Sequence, residues 1–502
     1  MANDYSQSFV NSQIKRTAKD FLIYLPAMVI PAIVGIILIR IFTSIFTPTE
    51  YGNYQLAFSA FGLIRVFSMA WLANCVTRFF LNQKNNGVQH IFFSTLGIAS
   101  FVSAFGIATL SYLINIFFFK AKIADSLFSL VNLAIVASIF NTIFEIFVLV
   151  YRAGLEAKKY SLYWILFSVG KPLLSIGLIL LFDLRVSAIF WGFLIVPLVL
   201  DIIVLFELNF IRQFRIQNFS MPLLREFANF GIPITFSMFS FWILSLSDRF
   251  LIEYFRGSSE VGLYAVGYVI SERILTFAYT VLMLAAYPII IENWEQHGDQ
   301  KTQTLITELT RYYFLLCMPI VTVLLVVPKP MLKIFSSATF IDGAKVLPFI
   351  AIGVFFNGLC QYVLKGFELH RKSGSIAKLA LIAGVINISL NLIFIPKYGY
   401  YGAGLSMLLT YLGYFILAIY FTKDELRWTP PIRSILNSIL AACLLACFLL
   451  GSLEIIDSQL SFIFLILPSG IVLYYFSLFV IKEIKMEEVQ KGKTVIFRLF
   501  RD

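Results

Sequence analysis

Five cationic side chains, Arg40, Arg65, Lys171, Arg249 and Arg273, lie inside apolar stretches long enough to cross a bilayer. Each such charge costs roughly 2.5 to 3.5 kcal/mol at mid-membrane, so five facing lipid would cost on the order of 12 to 18 kcal/mol. The expectation is that they line an internal, hydrated cavity. Arginine carries a permanent charge on a planar fork that can make two hydrogen bonds to phosphate oxygens, so this set favours an anionic solute. Glu145, Asp201, Asp248 and Glu272 share the same stretches. They are candidates for charge pairing with the cations or for binding a coupling ion, since desolvation raises a carboxyl pKa while a nearby Arg lowers it. Proton, sodium and uncoupled transport all stay open.

The elements that must position these groups are membrane helices. Of 502 residues, 59% are hydrophobic and only 13% charged, which leaves no room for a soluble surface. About fourteen apolar segments fall between residues 21 and 480, each fit for a helix crossing a roughly 30 Å core. The expected class is an all-α, multi-pass integral membrane protein. If the N-terminus is cytoplasmic, 26 of the 39 Lys and Arg residues lie on the inner side, 8 on the outer side and 5 within spans. That asymmetry places both termini inside. The net charge of +11 is then mostly an orientation signal, not a nucleic-acid surface. The first apolar segment is too long for the core of a cleaved signal peptide and is expected to stay as an anchor.

Internal repetition sets the organisation. Arg40 is followed by Glu50-Tyr51-Gly52-Asn53-Tyr54, and Arg249 by Glu260-Val261-Gly262-Leu263-Tyr264, both E-x-G-x-Y; Arg65 and Arg273 then follow each motif. Later, Arg152 to Lys159 (RAGLEAKK) matches Lys365 to Lys372 (KGFELHRK). The repeat is six helices, so both copies enter from the same side and are related by an axis along the membrane normal. The expected divisions are a cytoplasmic tail 1–20, an N-terminal lobe 21–208, a cytoplasmic linker 209–228, a C-terminal lobe 229–421, two further helices within 422–481 and a basic cytoplasmic tail 482–502.

Polar residues at helical spacing mark possible wet faces: Ser138, Asn141, Thr142 and Glu145; Ser168, Lys171 and Ser175; Arg273, Thr276 and Thr280. Asn357 with Gln361 and Asn387 with Asn391 are four-residue pairs that read slightly better as bonds between helices. The five cysteines, Cys75, Cys317, Cys360, Cys443 and Cys447, show neither metal-ligand nor disulfide spacing and read as small core hydrophobes. No nucleotide-binding glycine loop, paired-carboxylate motif or metal cluster is present, and the outer loops are short, the longest spanning Pro328 to Lys345, so an enzyme is not expected.

Three stretches resemble a known family. Phe230 to Ile290, Leu22 to Phe80 with its closing Thr77-Arg78-Phe79-Phe80, and Asn391 to Leu412 (NLIFIPKYGYYGAGLSMLLTYL) are similar to the polysaccharide transporters, the O-antigen flippase type of the multidrug/oligosaccharidyl-lipid/polysaccharide (MOP) exporter superfamily. The resemblance covers about residues 20 to 480 and is more specific for fold than for substrate. It implies a V-shaped, MATE-like bundle of two six-helix lobes plus two C-terminal helices in a bacterial inner membrane. It also implies alternating access that carries an undecaprenyl-diphosphate-linked oligosaccharide (O-antigen, capsule or exopolysaccharide repeat unit) from the cytoplasmic leaflet to the outer one. On that reading Arg40, Arg65, Lys171, Arg249 and Arg273 handle the diphosphate and glycan. The partners are this lipid-linked glycan, membrane lipids and other polysaccharide assembly proteins, with a monomer sufficient for function. The alternatives are a multidrug/cation antiporter or a lipid II flippase of the same superfamily. A cavity for cationic drugs should be acidic, whereas the repeat-related arginines favour an anion.

Overall fold

The computed structural model describes residues 2–453 and 459–484. Lys485, Lys491, Lys493, Arg498 and Arg501 of the basic tail lie outside the described residues, as do the side chains of Lys15, Arg16 and Lys19. Among the described residues there are helices and turns and no strand. Thirteen helical stretches are long and apolar enough to cross a membrane. The chain folds as two compact units, Met1–Gly262 and Leu263–Asp502.

In the first unit α1 (Ala2–Ile45), α2 (Pro48–Asn85), α3 (Gln89–Ile114), α4 (Asp125–Ala153), α5 (Ala157–Phe182) and α6 (Ser187–Glu207) follow one another through short turns. A short α7 (Phe210–Gln213) leads to α8 (Met221–Leu246) and α9 (Asp248–Arg256). The start of α2 is written in Thr47-Pro48-Thr49-Glu50. The Thr47 hydroxyl accepts from the Glu50 amide at 3.3 Å, and the Glu50 carboxylate accepts from the Thr47 amide at 2.9 Å. This capping box with proline at the first helical position satisfies donors that a helix start otherwise leaves open. The same Glu50 carboxylate takes a forked pair of bonds from Arg185, at 2.5 and 2.8 Å, which ties the α2 start to the turn before α6.

The most enclosed span is α4, whose Phe144, Ile146, Phe147 and Val148 are fully buried among Leu72, Cys75 and Val76 of α2 and Phe92 and Leu96 of α3. The stretch 209–228 is not one surface helix. Phe210 of α7 is driven into this core, stacking edge-on against Phe147 and Phe93. Arg212, Arg215 and Arg225 stay exposed, as orientation signals should.

The two E-x-G-x-Y glycines meet. A Cβ on Gly52 would lie 1.8 Å from the Ser258 carbonyl oxygen, and one on Gly262 would lie 2.0 Å from the Pro48 carbonyl oxygen. Each motif glycine therefore sits on the backbone one turn before the other, a reciprocal contact that only glycine allows.

α10 (Ser258–Val326) has 69 residues, about 100 Å at 1.5 Å per residue against a core of about 30 Å. It is interrupted at Gly298, where φ is +72°, and it contains both the eighth and ninth expected segments. In the second unit it is followed by α11 (Pro328–Phe335), a 3-10 stretch Ala338–Val346, α12 (Leu347–Val363), α13 (Lys365–Leu369), α14 (Ser373–Tyr398), α15 (Tyr400–Thr422), α16 (Ile432–Leu453), α17 (Gln459–Ser461) and α18 (Leu467–Val480). The end of α18 is tied to α10 through Glu483, which accepts from Arg311 Nε at 2.7 Å and from Asn437 of α16 at 2.8 Å. Cys75, Cys317 and Cys360 are buried as expected, but Cys443 and Cys447 are exposed on α16. That corrects their reading as core residues: an apolar sequence in a membrane helix does not say which face turns inward.

Candidate functional site

The first unit gathers Arg65, Glu145 and Lys171 into one cluster. Arg65, on α2, donates from Nη2 to the Glu145 carboxylate on α4. Glu145 is only 4% exposed, while the Arg65 side chain keeps 28% of its surface. The guanidinium also lies 5.4 Å from the Phe61 ring centre and 3.8 Å from the Met69 sulfur. Lys171, on α5, has no carboxylate partner among the described residues. Its ammonium sits 3.4 Å from the Phe167 ring centre and 4.8 Å from that of Phe193, within electrostatic reach of both Glu145 and Arg65. Two aromatic faces can hold an ammonium in place of a counter-ion.

Gly192 makes that pocket possible. A Cβ there would lie 2.6 Å from the Lys171 carbonyl and 2.2 Å from the Ser175 hydroxyl, so α6 approaches α5 closely enough for Phe193 to reach the ammonium. Asn141 of α4 fixes the same place from the other side by donating to the Phe193 carbonyl at 2.5 Å. The cluster holds two basic side chains and one carboxylate.

The polar stripe on α4 is not a wet face. Ser138, Asn141 and Thr142 are at most 1% exposed, and the Thr142 hydroxyl bonds Ser68 of α2 at 2.8 Å. Asn141 and Thr142 join helices around Glu145, while Ser138 is spent on the Ile135 carbonyl of its own helix. Ser175 likewise is spent on the Lys171 and Ile189 carbonyls.

Arg249 and Asp248 open α9, just after α8 ends at Leu246. Both are 2% exposed, so Arg249 is enclosed by protein. Arg249 Nη1 lies 3.5 Å from the Ser59 hydroxyl and from the Ser245 carbonyl, and the Asp248 carboxylate accepts from the Arg249 amide at 2.9 Å. Trp242 donates to the Ser59 carbonyl at 3.1 Å, so this buried group joins α8 and α9 to α2. Arg40 is exposed on α1.

Asp201 of α6 is 5% exposed and neither carboxylate oxygen has a hydrogen-bond partner. Its expected role as an ion-pair partner is therefore corrected: apolar Leu200 and Val204 flank it in the core, and the cations on neighbouring helices are engaged elsewhere.

In the second unit Arg273 is half-buried on α10, without a hydrogen bond or ion pair among the described residues. One residue earlier, Glu272 accepts from Thr276 at 3.1 Å. Asn391 donates to Asn387 at 3.0 Å and Asn387 to Thr410 at 3.3 Å, so this pair joins α14 to α15, as its spacing suggested. Lys365 is 3% exposed, is paired with Glu368 and lies 4.7 Å from the Tyr287 ring centre. The signal was present in the Lys365/Glu368 spacing, a helical i, i+3 pair. Among the described residues no group of three His, Cys, Asp or Glu could hold a metal.

Comparison with known proteins places this architecture. A family model described as polysaccharide biosynthesis protein matches residues 37–345. An uncharacterized membrane protein of Methanocaldococcus jannaschii, MJ1068, is 23% identical over 205 residues, 40% of this chain and 39% of that relative's length. Among solved structures, the lipid II flippase MurJ in an inward closed conformation superposes with a TM-score of 0.74 at 16% identity, covering 92% of this chain and 99% of that one. A multidrug resistance MATE transporter in an inward-facing conformation gives 0.57 at 13% identity, over 80% and 93%. A MOP superfamily transporter from Pyrococcus furiosus, described as having a binding pocket of reverse polarity, gives 0.56 at 14%, over 82% and 94%.

Proposed function

This chain belongs to the polysaccharide biosynthesis protein family and has the MurJ/MATE-like fold of the MOP superfamily, and on that premise we propose that it is a flippase for a lipid-linked oligosaccharide. The substrate is an undecaprenyl-diphosphate-linked repeat unit, carried across the cytoplasmic membrane by alternating access between the two repeat-related lobes. The observation that carries this reading is the charge of the intramembrane groups. Arg65 and Lys171 outnumber Glu145, and Arg273 has no carboxylate on it. Such groups attract an anion and repel a cation.

A polyprenyl-diphosphate glycan has three parts with different needs. The lipid tail stays in the bilayer, while the diphosphate and sugars need a polar route. Arg65 and Arg273 supply forked donors to phosphate oxygens, and Lys171 supplies a point charge held between two rings. Arg40 is exposed and serves as an entry or exit contact. Arg249 is enclosed and holds the junction of α8 and α9 in shape. Asp201, without a partner, is the carboxylate most suited to take up a coupling proton.

The fold of MurJ favours a second reading, lipid II, which carries the same diphosphate. The two differ in the saccharide. The test is binding in lipid nanodiscs of undecaprenyl diphosphate carrying either a repeat-unit oligosaccharide or the lipid II disaccharide-peptide, with a cationic dye as control. The oligosaccharide form should bind best and the dye not at all. Preference for the dye would overturn the anionic reading, and preference for lipid II would move the assignment to the second one.

A further inference from the structure

We infer that Glu145 is a resident counter-ion that occupies the phosphate position on Arg65 and is displaced onto Lys171 when the substrate's diphosphate arrives. This rests on the diphosphate reading above and names the residue that sets how tightly the site holds its anion. Three observations carry it. One arm of the Arg65 fork, Nη2, is already engaged by a carboxylate, so a phosphate takes a two-armed grip that includes Nη2 by exchange. The carboxylate is almost fully buried, so once displaced it cannot find water and needs another cation. Lys171 is a cation in electrostatic reach with no carboxylate of its own, held ready between Phe167 and Phe193.

The exchange balances in charge. Before binding, Glu145 neutralises Arg65 and the aromatic rings hold Lys171. After binding, a phosphate oxygen neutralises Arg65 and Glu145 neutralises Lys171. The buried carboxylate is paired in both states, and release of the product is driven by its return to Arg65. A site without such a carboxylate would bind the diphosphate more tightly and let it go more slowly, the opposite of what a carrier needs.

If the internal pair is formed in about nine molecules of ten, it weakens apparent affinity about tenfold. The experiment is titration of wild type, Glu145→Gln, Lys171→Met and Arg65→Ala in nanodiscs with undecaprenyl diphosphate and, separately, with inorganic pyrophosphate. Glu145→Gln should bind both probes about tenfold more tightly and flip the lipid more slowly. Lys171→Met should bind more weakly than wild type, because the displaced carboxylate has nowhere to go, and Arg65→Ala should lose binding. If Glu145→Gln does not fold, Glu145→Asp, whose shorter arm loosens the pair, should tighten binding by a smaller factor. Binding by wild type and not by Arg65→Ala, with the Glu145 variants no tighter than wild type, would overturn the counter-ion and leave the diphosphate reading standing. Failure of wild type and Glu145 variants alike to bind either probe would overturn both.

Discussion

Arg65 and Arg273 follow the same E-x-G-x-Y motif in the two copies of the repeat, yet Arg65 is paired and Arg273 is not. The register of the later motif differs in the same sense. Glu145 stands seven residues before Arg152, and the residue seven before Lys365 is Gly358. A side chain at Gly358 would run into Tyr313, whose hydroxyl donates to the Phe355 carbonyl at 2.7 Å; a Cβ there would lie 2.3 Å from that hydroxyl. One copy thus spends a carboxylate on its arginine, and the other fills the same register with an aromatic ring. On the proposed reading, one arginine is a regulated anion site and the other an open one.

Replacing each arginine by alanine breaks this comparison most sharply. Arg65→Ala breaks a buried ion pair and forces Glu145 onto Lys171 with no ligand to fill the vacated place, which costs up to about 3 kcal/mol, so the melting temperature should fall along with transport. Arg273→Ala leaves no orphan and should melt like wild type while losing transport about tenfold or more, the worth of a charge-assisted contact to phosphate. Thermal unfolding in detergent beside a flipping assay checks both. Equal destabilisation by the two variants would show that Arg273 also has a partner. Arg273→Lys should restore only part of the activity, because a lysine cannot reproduce the fork.

Where the copies remain alike, substitutions should act alike. Gly52→Ala and Gly262→Ala each force a Cβ onto a carbonyl oxygen of the other segment. Overpacking of this kind costs about 1 to 3 kcal/mol, and the two variants should lower the melting temperature by similar amounts. A silent variant at either position would show that the contact is not shared.

The smallest expected effect lies at Glu483, beyond the last membrane helix, where the second unit pairs it with Arg311. Burial would raise its carboxyl, but hydrogen bonds from Ser434, Arg311 and Asn437 hold it below the usual range. Its folded pKa is therefore below its unfolded value near about 4.3, so its contribution is present above that pH and is lost as pH falls through the folded value. Stability measured from pH 6 down to pH 3 should decline less steeply in Glu483→Gln than in wild type.

Much of this was legible in sequence. Apolar length alone marked the membrane spans, and thirteen stretches stand against fourteen because the eighth and ninth segments share α10, interrupted at Gly298. Thr47-Pro48-Thr49-Glu50 carries a capping-box pattern in the sequence itself. The repeat singled out Gly52 with Gly262 and Arg65 with Arg273. What it could not say was which way a polar side chain turns. In a soluble helix a polar stripe faces water, whereas here Ser138, Asn141 and Thr142 turn inward, the last two to bond other helices, because lipid rewards internal satisfaction. The pairing of Glu145 with Arg65 and the isolation of Asp201 depend on which helices become neighbours, which no local spacing records.

The central claim is that these intramembrane cations carry a diphosphate across the bilayer. Its most direct test is flipping of a fluorescent undecaprenyl-diphosphate oligosaccharide in proteoliposomes by wild type, Arg65→Ala and Arg273→Ala. The account predicts flipping by wild type and its loss in both variants, with only Arg65→Ala less stable. Wild-type rates in both folded variants, or no flipping by a wild-type protein that exports cationic dyes, would contradict it.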